Sequence, residues 1–264
     1  MSVGDHPLWR RLFAELIGSA FLAAVVIGSG IAAQRLSPGD VGLQLFENAT
    51  ATAAGLYAII LMVGPVSGAH LNPVVSLVDA AFGGISWRAV AAYVPAQVAG
   101  CVGGAVVANL MFSDPAVTIS VKHRASGGHA LAEGVATLGL LLVIFALARS
   151  GRGRSAAAAV GAYIGAAYFF TSSTSFANPA ITVGRMFSNT FAGIAPASAP
   201  DFIGAQVVGG VVAVGVIKLL YPRVTPAEAG NVVVPHGLDT GSPAASPRPL
   251  PPGRHDPVSA EEPS

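Results

Sequence analysis

The stretches His70-Leu71-Asn72-Pro73-Val74 and Phe176-Ala177-Asn178-Pro179-Ala180 decide the fold of this chain. Each places an Asn-Pro step before a short apolar segment, between long apolar runs in which an asparagine is expensive. Proline at the first helical position loses no needed N–H, and asparagine is a favoured N-cap. Both steps therefore predict helix starts, and helices that start inside a membrane would line a pore.

The composition is that of an integral membrane protein. Hydrophobic residues make up 53% of the 264 residues and charged residues 10%, against about 25% charged in soluble domains. The net charge of +1 gives no support for nucleic-acid binding, which needs a basic face. The single cysteine, Cys101, excludes an intrachain disulfide and a cysteine-based metal site. We expect no metal and no cofactor.

Six apolar runs are long enough to cross a hydrocarbon core, which takes about 20 helical residues. They cover residues 10–33, 42–63, 87–110, 128–149, 155–174 and 199–221. The first run follows two arginines and is too long for a signal peptide, so it predicts a transmembrane helix. Two further apolar segments, residues 73–82 and 179–190, are too short to cross and predict half-helices.

Lysine and arginine residues predict the orientation, because cytoplasmic ends of membrane helices are richer in them. With the N-terminus inside, eight fall on the cytoplasmic side and four on the outer side, so we expect both termini in the cytoplasm. Residues 1–222 would form the channel domain and residues 223–264, rich in Pro, Ser, Gly and acids, a disordered cytoplasmic tail. The inner set is Arg10, Arg11, Arg88, Arg149, Arg152, Arg154, Lys218 and Arg223; the outer set is Arg35, Lys122, Arg124 and Arg185.

Three landmarks occur twice in the same order. Glu15 and Glu133 are 118 residues apart, the two Asn-Pro steps 106, and the glutamines Gln97 and Gln206 109. Each half, residues 10–110 and 128–221, holds three spans, so the second half enters the membrane from the opposite side. Such inverted repeats bring the half-helices together near the midplane. The predicted fold is an all-α membrane protein with six transmembrane helices and two re-entrant half-helices.

The loops before the two Asn-Pro steps, residues 64–70 and 171–175, are small and polar, as expected of backbone that lines a water-filled cavity. Two half-helix N-termini put partial positive charge at the centre, which disfavours cations and protons. Asn72 and Asn178 would donate N–H groups to a passing oxygen. Glu15 and Glu133 cost about 3 kcal/mol each if unpaired, so their symmetry predicts that they brace the loops, the first together with His70.

A family resemblance follows from these residues. The pattern Ser67-Gly68-Ala69-His70-Leu71-Asn72-Pro73-Val74, the second step Asn178-Pro179-Ala180 and the paired Glu15 and Glu133 resemble the aquaporin, or major intrinsic protein, family across residues 10–221. The resemblance implies a homotetramer with one pore per protomer, conducting water or small neutral solutes passively. It also implies a multi-pass protein of the bacterial inner membrane.

Departures from the family pattern predict the solute class. Most members have an arginine after the second Asn-Pro-Ala, and this chain has Ile181; gap-free counting from the asparagines places the other filter positions at Thr52, Ala166 and Ser175. A filter without a cation or large rings would be wider and pass solutes larger than water. The combination resembles bacterial aquaglyceroporins associated with arsenic resistance, which implies glycerol-like polyols, arsenite and antimonite as solutes.

Two charged residues stand seven positions after the two asparagines. Arg185 lies four residues after Ile181, on the same helix face, and is expected to guard the outer vestibule. The alternative is a structural partner for a loop carbonyl or carboxylate. Asp79 is its counterpart, and Asp79 and His70 are also expected at a vestibule. An acid near a helix C-terminus is unfavourable and predicts a cationic partner such as Arg88.

Other functions stay open at this point. Within the same class, the alternative is a water-selective channel. An ion-coupled secondary transporter also uses inverted repeats, but it would need coupling-ion ligands beyond Glu15 and Glu133. A structural membrane protein with a vestigial pore is a third class. An enzyme is not expected, because no nucleophile and base and no ligand cluster stand at reactive spacing.

Overall fold

A computed structural model describes residues 6–222, and the predicted tail at 223–264 lies outside the described residues. The regular structure of the described part is helical. Its α-helices are α1 Leu8–Leu36, α2 Val41–Ser67, α3 Pro73–Ala81, α4 Trp87–Met111, α5 Gly127–Arg149, α6 Ala156–Phe170, α7 Pro179–Arg185 and α8 Ala199–Leu220. Single 3₁₀ turns, Gly153–Ser155 and Pro196–Ser198, precede α6 and α8.

Five helices of the described part, α1, α2, α4, α5 and α8, are long and apolar enough to cross a membrane. α6 fills the place of the fifth predicted span but has 15 residues, because the chain becomes extended at Thr171. The residues that follow, predicted to belong to this span up to 174, form the start of the second re-entrant loop. The predicted all-α fold is confirmed, with one span shorter than expected.

The two half-helices begin where the sequence predicts, at Pro73 and Pro179. α3 ends at Ala81, one residue before the predicted end, but α7 ends at Arg185, five residues short of 190. The cause is a tightened last turn, in which Phe187 N donates to Gly184 O at 3.1 Å. The chain then leaves the helix for the loop that connects to α8.

The helix contacts repeat across the two halves. α1 packs on α4 in the first half, and α5 packs on α8 in the second. Each half-helix also reaches the other half, since α3 contacts α8 and α7 contacts α4, and α3 and α7 touch each other. This exchange is what two inverted repeats with a shared centre require.

Glycine allows the backbones of α1 and α4 to touch. A Cβ on Gly104 would overlap the carbonyl oxygen of Ala20, and one on Gly100 would overlap that of Leu16. The second half repeats the device, because a Cβ on Gly209 of α8 would meet the backbone of Gly134 on α5. Small residues at such crossings are the common means of helix packing in membranes.

The substitution Gly104→Ala is expected to lower the free energy of unfolding by about 1–3 kcal/mol, because the added methyl group strikes backbone that cannot rotate away. Gly103→Ala is the matched control, since a Cβ there meets nothing within 4 Å. Alanine is the better helix former, so the control should be neutral or slightly stabilising. Thermal unfolding in detergent compares the two, and equal unfolding temperatures would contradict the close crossing.

Candidate functional site

The two re-entrant loops are joined through the asparagine side chains. Asn72 Nδ2 donates to Ala177 O at 2.7 Å, and Asn178 Nδ2 donates to Leu71 O at 2.7 Å. Each Oδ1 caps its own half-helix, accepting from Val74 N at 2.9 Å in the first half and from the equivalent Ala180 N at 2.9 Å in the second. An amide nitrogen carries two N–H groups, so each asparagine keeps one for another acceptor.

Both loops have the same unusual backbone. Ala69 and Leu71 have φ of 49° and 53°, and Ser175 and Ala177 both have φ of 47°. These left-handed residues stand three and one positions before each asparagine. The conformation costs a non-glycine residue roughly 1–2 kcal/mol, so the loops need support from outside.

Glu15 supplies that support in the first half. Its carboxylate is fully buried and accepts from His70 N at 3.0 Å and Leu71 N at 2.7 Å. Ser67 Oγ and Gln97 Nε2 also donate to it, at 2.6 Å and 2.7 Å. The predicted bracing position is found, but the bond from residue 70 comes from its backbone rather than its imidazole.

Glu133 repeats the arrangement in the second half. It accepts from Phe176 N and Ala177 N, both at 2.8 Å, and from Gln206 Nε2 at 2.6 Å. These are the same positions, two and one residues before the asparagine. Gln97 and Gln206, which the sequence marks only as repeat landmarks, thus have a shared role, because each holds the bracing glutamate from the third span of its half.

A cavity passes between the halves beside both asparagines. Of the predicted site residues, Thr52, His70, Ser175, Ile181 and Arg185 line it together with Asn72 and Asn178. The remaining motif residues Pro73, Val74, Pro179 and Ala180 are buried at the helix starts, outside the lining. The aliphatic residues of the lining include Leu22, Val26, Leu56, Ile60, Leu140, Ile144, Val160 and Ile164. The polar side chains of the lining therefore come mainly from the loops and α7, and the aliphatic ones mainly from α1, α2, α5 and α6.

The predicted filter position Ala166 is wrong. Ala166 is exposed on α6 and does not line the cavity, whereas Tyr168 is buried and does. The Tyr168 hydroxyl lies 3.1 Å from Thr52 Oγ1. Gap-free counting from Asn178 assumed a connection two residues longer than the real one, and two residues turn a helix by about 200°. The prediction of a filter without a large ring is wrong for the same reason.

Arg185 brings a cation to the end of the cavity at which α7 ends. It is 1% exposed, its Nε donates to Ala192 O, and its guanidinium lies over the Phe176 ring, 3.4 Å from the centroid. Within residues 6–222, no hydrogen-bond acceptor is recorded for its two terminal nitrogens. α7 therefore carries no cation at Ile181 but carries one a helical turn further on, at Arg185.

Asp79 lies behind the cavity wall rather than in a vestibule. It is buried, and its Oδ2 lies 3.4 Å from Nε2 of His70, whose Nδ1 lies 3.0 Å from Ser76 Oγ. The predicted partner Arg88 is wrong, because Arg88 is exposed at the start of α4 and the imidazole folds over the last turn of α3 instead.

Arg124 is a residue of this region that the sequence did not single out. It lies between α4 and α5, is buried, and donates through Nε to Gly193 O at 3.0 Å and through Nη1 to Ser173 O at 3.4 Å. Burial lowers the pKa of Arg124 to about 10. Burial and the charges of Arg124 and Arg185 lower the pKa of Lys122 to about 8.

No cluster that could hold a metal is found in the described part of the chain. The bracing glutamates do not line the cavity, and their oxygens are occupied by loop N–H groups and glutamine side chains. The lining offers the amides of Asn72 and Asn178 and the hydroxyls of Thr52 and Tyr168 as hydrogen-bonding groups.

Comparisons with known proteins agree with this geometry. A family model described as Major intrinsic protein matches residues 2–176. The protein "Aquaglyceroporin AqpS" of Rhizobium meliloti (strain 1021) is 46% identical over 222 residues, covering 84% of this chain and 94% of that protein. "Aquaporin NIP1-3" of Oryza sativa subsp. japonica is 32% identical over 195 residues, 69% and 67% of the two chains. The X-ray structure of the aquaglyceroporin from Plasmodium falciparum superimposes with a TM-score of 0.63 at 20% identity, covering 82% of this chain and 98% of that one.

Proposed function

The chain belongs to the major intrinsic protein family, and from that premise we propose that its pore conducts glycerol-like polyols, the neutral hydroxides arsenite and antimonite, and water. The family consists of channels rather than enzymes, and a channel for small neutral solutes such as glycerol is what the aquaglyceroporin relative and the matching fold support. The finer solute class rests on the residues of the constriction.

One observation carries the solute class. Ser175 lines the cavity, and its buried Oγ has no hydrogen-bond partner among the described residues. A buried hydroxyl without a partner is costly, and a turn of the Ser175 side chain toward the cavity would let a passing solute hydroxyl satisfy it. Ile181, another lining residue, presents an apolar surface to the carbon skeleton of a polyol. A molecule with hydroxyls on one side and an apolar surface on the other fits this pair of residues.

Tyr168 favours a second candidate, a water-selective channel. Its ring stands in the constriction where the sequence predicts a small residue, and its hydroxyl reaches Thr52 at 3.1 Å. A narrower filter would favour water over polyols. Flux of glycerol against flux of water separates the two candidates.

Assembly and location complete the proposal. We propose a homotetramer in the bacterial inner membrane, with both termini in the cytoplasm. Large apolar side chains on the outward faces support a lipid or subunit environment, since soluble monomers rarely expose such surfaces. On α6 and α8 these include Phe169, Phe170, Val208, Val211 and Val212.

Uptake without an ion gradient tests the passive mechanism. Proteoliposomes that contain the protein should take up glycerol and arsenite at rates proportional to the solute gradient, with or without ionophores that collapse proton and sodium gradients. Saturable uptake that stops when the ion gradients collapse would instead favour the ion-coupled secondary transporter. Uptake equal to that of empty liposomes would contradict a channel.

Mercury should block the pore only after a thiol is placed in it. Cys101 is fully buried on α4, outside the cavity lining, so solute flux of the native protein should resist mercuric chloride. The Ser175→Cys variant puts a thiol on the cavity wall and should lose most of its flux, with recovery on addition of a reducing thiol. Block of the native protein that disappears in Cys101→Ser would contradict the placement of Cys101.

A further inference from the structure

Three cations at the outer mouth are held without a carboxylate. Lys122, Arg124 and Arg185 make no ion pair within residues 6–222. Their donors reach the carbonyl oxygens of three consecutive residues, 191–193. Lys122 Nζ donates to residue 191 at 2.8 Å, Arg124 donates to residues 191 and 193 at 3.2 Å and 3.0 Å, and Arg185 donates to residue 192.

Arg124 and Arg185 also share one aromatic ring. The guanidinium of Arg185 is 3.4 Å from the centroid of Phe176, and that of Arg124 is 5.3 Å from it. The backbone of Phe176 is fixed by the bond from its N–H to Glu133. Glu133 therefore fixes the backbone that carries the ring. A cation over an aromatic face is attracted to it.

Carbonyl dipoles hold these cations but do not cancel their charge. Two buried guanidinium groups near one mouth therefore leave a positive potential that acts over several ångströms of weakly screened protein. Position 181 carries no cation, so this potential comes from residues outside the motif positions.

We infer that Arg124 determines the charge selectivity of the pore, although it lies outside the membrane helices and the pore motifs. Its charge adds to that of Arg185, which lies at the same ring, in the barrier against protons and other cations. The inference rests on the proposed channel function, because a barrier has meaning only if neutral solutes pass.

The test compares proton leak with glycerol flux on the same proteoliposomes. Arg124→Gln keeps amide donors near the carbonyls but removes the charge, and it should raise the ratio of proton leak to glycerol flux about tenfold. Arg124→Lys keeps the charge and should stay close to the native ratio. Arg35→Met removes an exposed cation of the same face, paired with Asp114 away from the cavity, and is the matched control.

A further substitution shows where the leak runs. Adding Ile181→Trp to Arg124→Gln should remove the extra leak together with the glycerol flux, because tryptophan fills the cavity at a lining position. If Arg124→Gln does not fold, Phe176→Leu takes its place, since it removes the shared ring and should raise the same ratio.

The outcomes separate the two proposals. A native protein without glycerol flux would overturn the proposed function itself. A native protein with glycerol flux whose Arg124→Gln variant, or Phe176→Leu in its place, keeps the native ratio would overturn this inference alone. An Arg124→Lys variant that leaks as much as Arg124→Gln would overturn it too, because charge would then not be the cause.

Discussion

Exchange of Glu133 for leucine is expected to abolish solute flux and to lower the free energy of unfolding by about 3–6 kcal/mol. The reason is that three buried donors, Phe176 N, Ala177 N and Gln206 Nε2, lose their acceptor at once. Ala177 would also lose what holds its left-handed conformation. Denaturant unfolding in detergent and glycerol swelling of proteoliposomes measure the two effects.

Two further variants are compared with Glu133→Leu. Glu133→Gln keeps one acceptor oxygen but turns an NH₂ group toward the loop, so its loss should be smaller than that of leucine. Thr137→Val is the matched control one turn further along α5, because the buried Oγ1 of Thr137 has no partner within the described residues. The control should keep native stability and flux. A Glu133→Leu variant with native flux would contradict a bracing role.

Exchange of Ile181 for arginine is expected to reduce glycerol flux at least tenfold and water flux much less. The longer side chain would enter the cavity opposite Thr52 and Tyr168 and narrow it. The new cation would also stand one helical turn from Arg185, on the same face, where like charges repel. Stopped-flow light scattering measures both fluxes on one preparation.

Ile181→Val is the control for this substitution, since it keeps an apolar β-branched side chain and should leave both fluxes near native. Equal loss of water and glycerol flux in Ile181→Arg would show that the constriction for polyols lies elsewhere along the cavity.

The sequence predicted the centre of this fold well. The Asn-Pro steps fixed the starts of α3 and α7, because an asparagine cap and a first-turn proline act locally. The repeated order of landmarks in the two halves predicted that Glu15 and Glu133 face equivalent loops, and both accept N–H groups from the two residues before an asparagine. The internal repeat therefore allowed a tertiary contact to be predicted from a single sequence.

The constriction was less predictable, because its residues come from elements whose connections vary in length. Counting along the chain places Ala166 at the filter position of α6. Because one loop has two fewer residues, Tyr168 occupies that position instead. The one available sign was the aromatic cluster Tyr168-Phe169-Phe170 at the end of the fifth apolar run, where a large ring could face the pore.

The charged partners could not be predicted, because they depend on how loops fold over helix ends. Asp79 contacts His70, and Arg185 contacts Phe176. In both cases the partner lies two positions before the asparagine of its half. The shared spacing was visible in the sequence, but the contact was not. Arg124 belongs to no sequence motif, and only the fold brings its loop to the ring of Phe176 at one mouth of the cavity.

The proposed passive channel is tested most directly by a stopped-flow comparison of water, glycerol and arsenite on one reconstituted sample. Empty liposomes and Ile181→Trp are the controls. All three solutes should cross faster than in empty liposomes, without an ion gradient, and Ile181→Trp should remove the difference. Water flux without glycerol or arsenite flux would contradict the proposed solute class, and native flux in Ile181→Trp would contradict the pore itself.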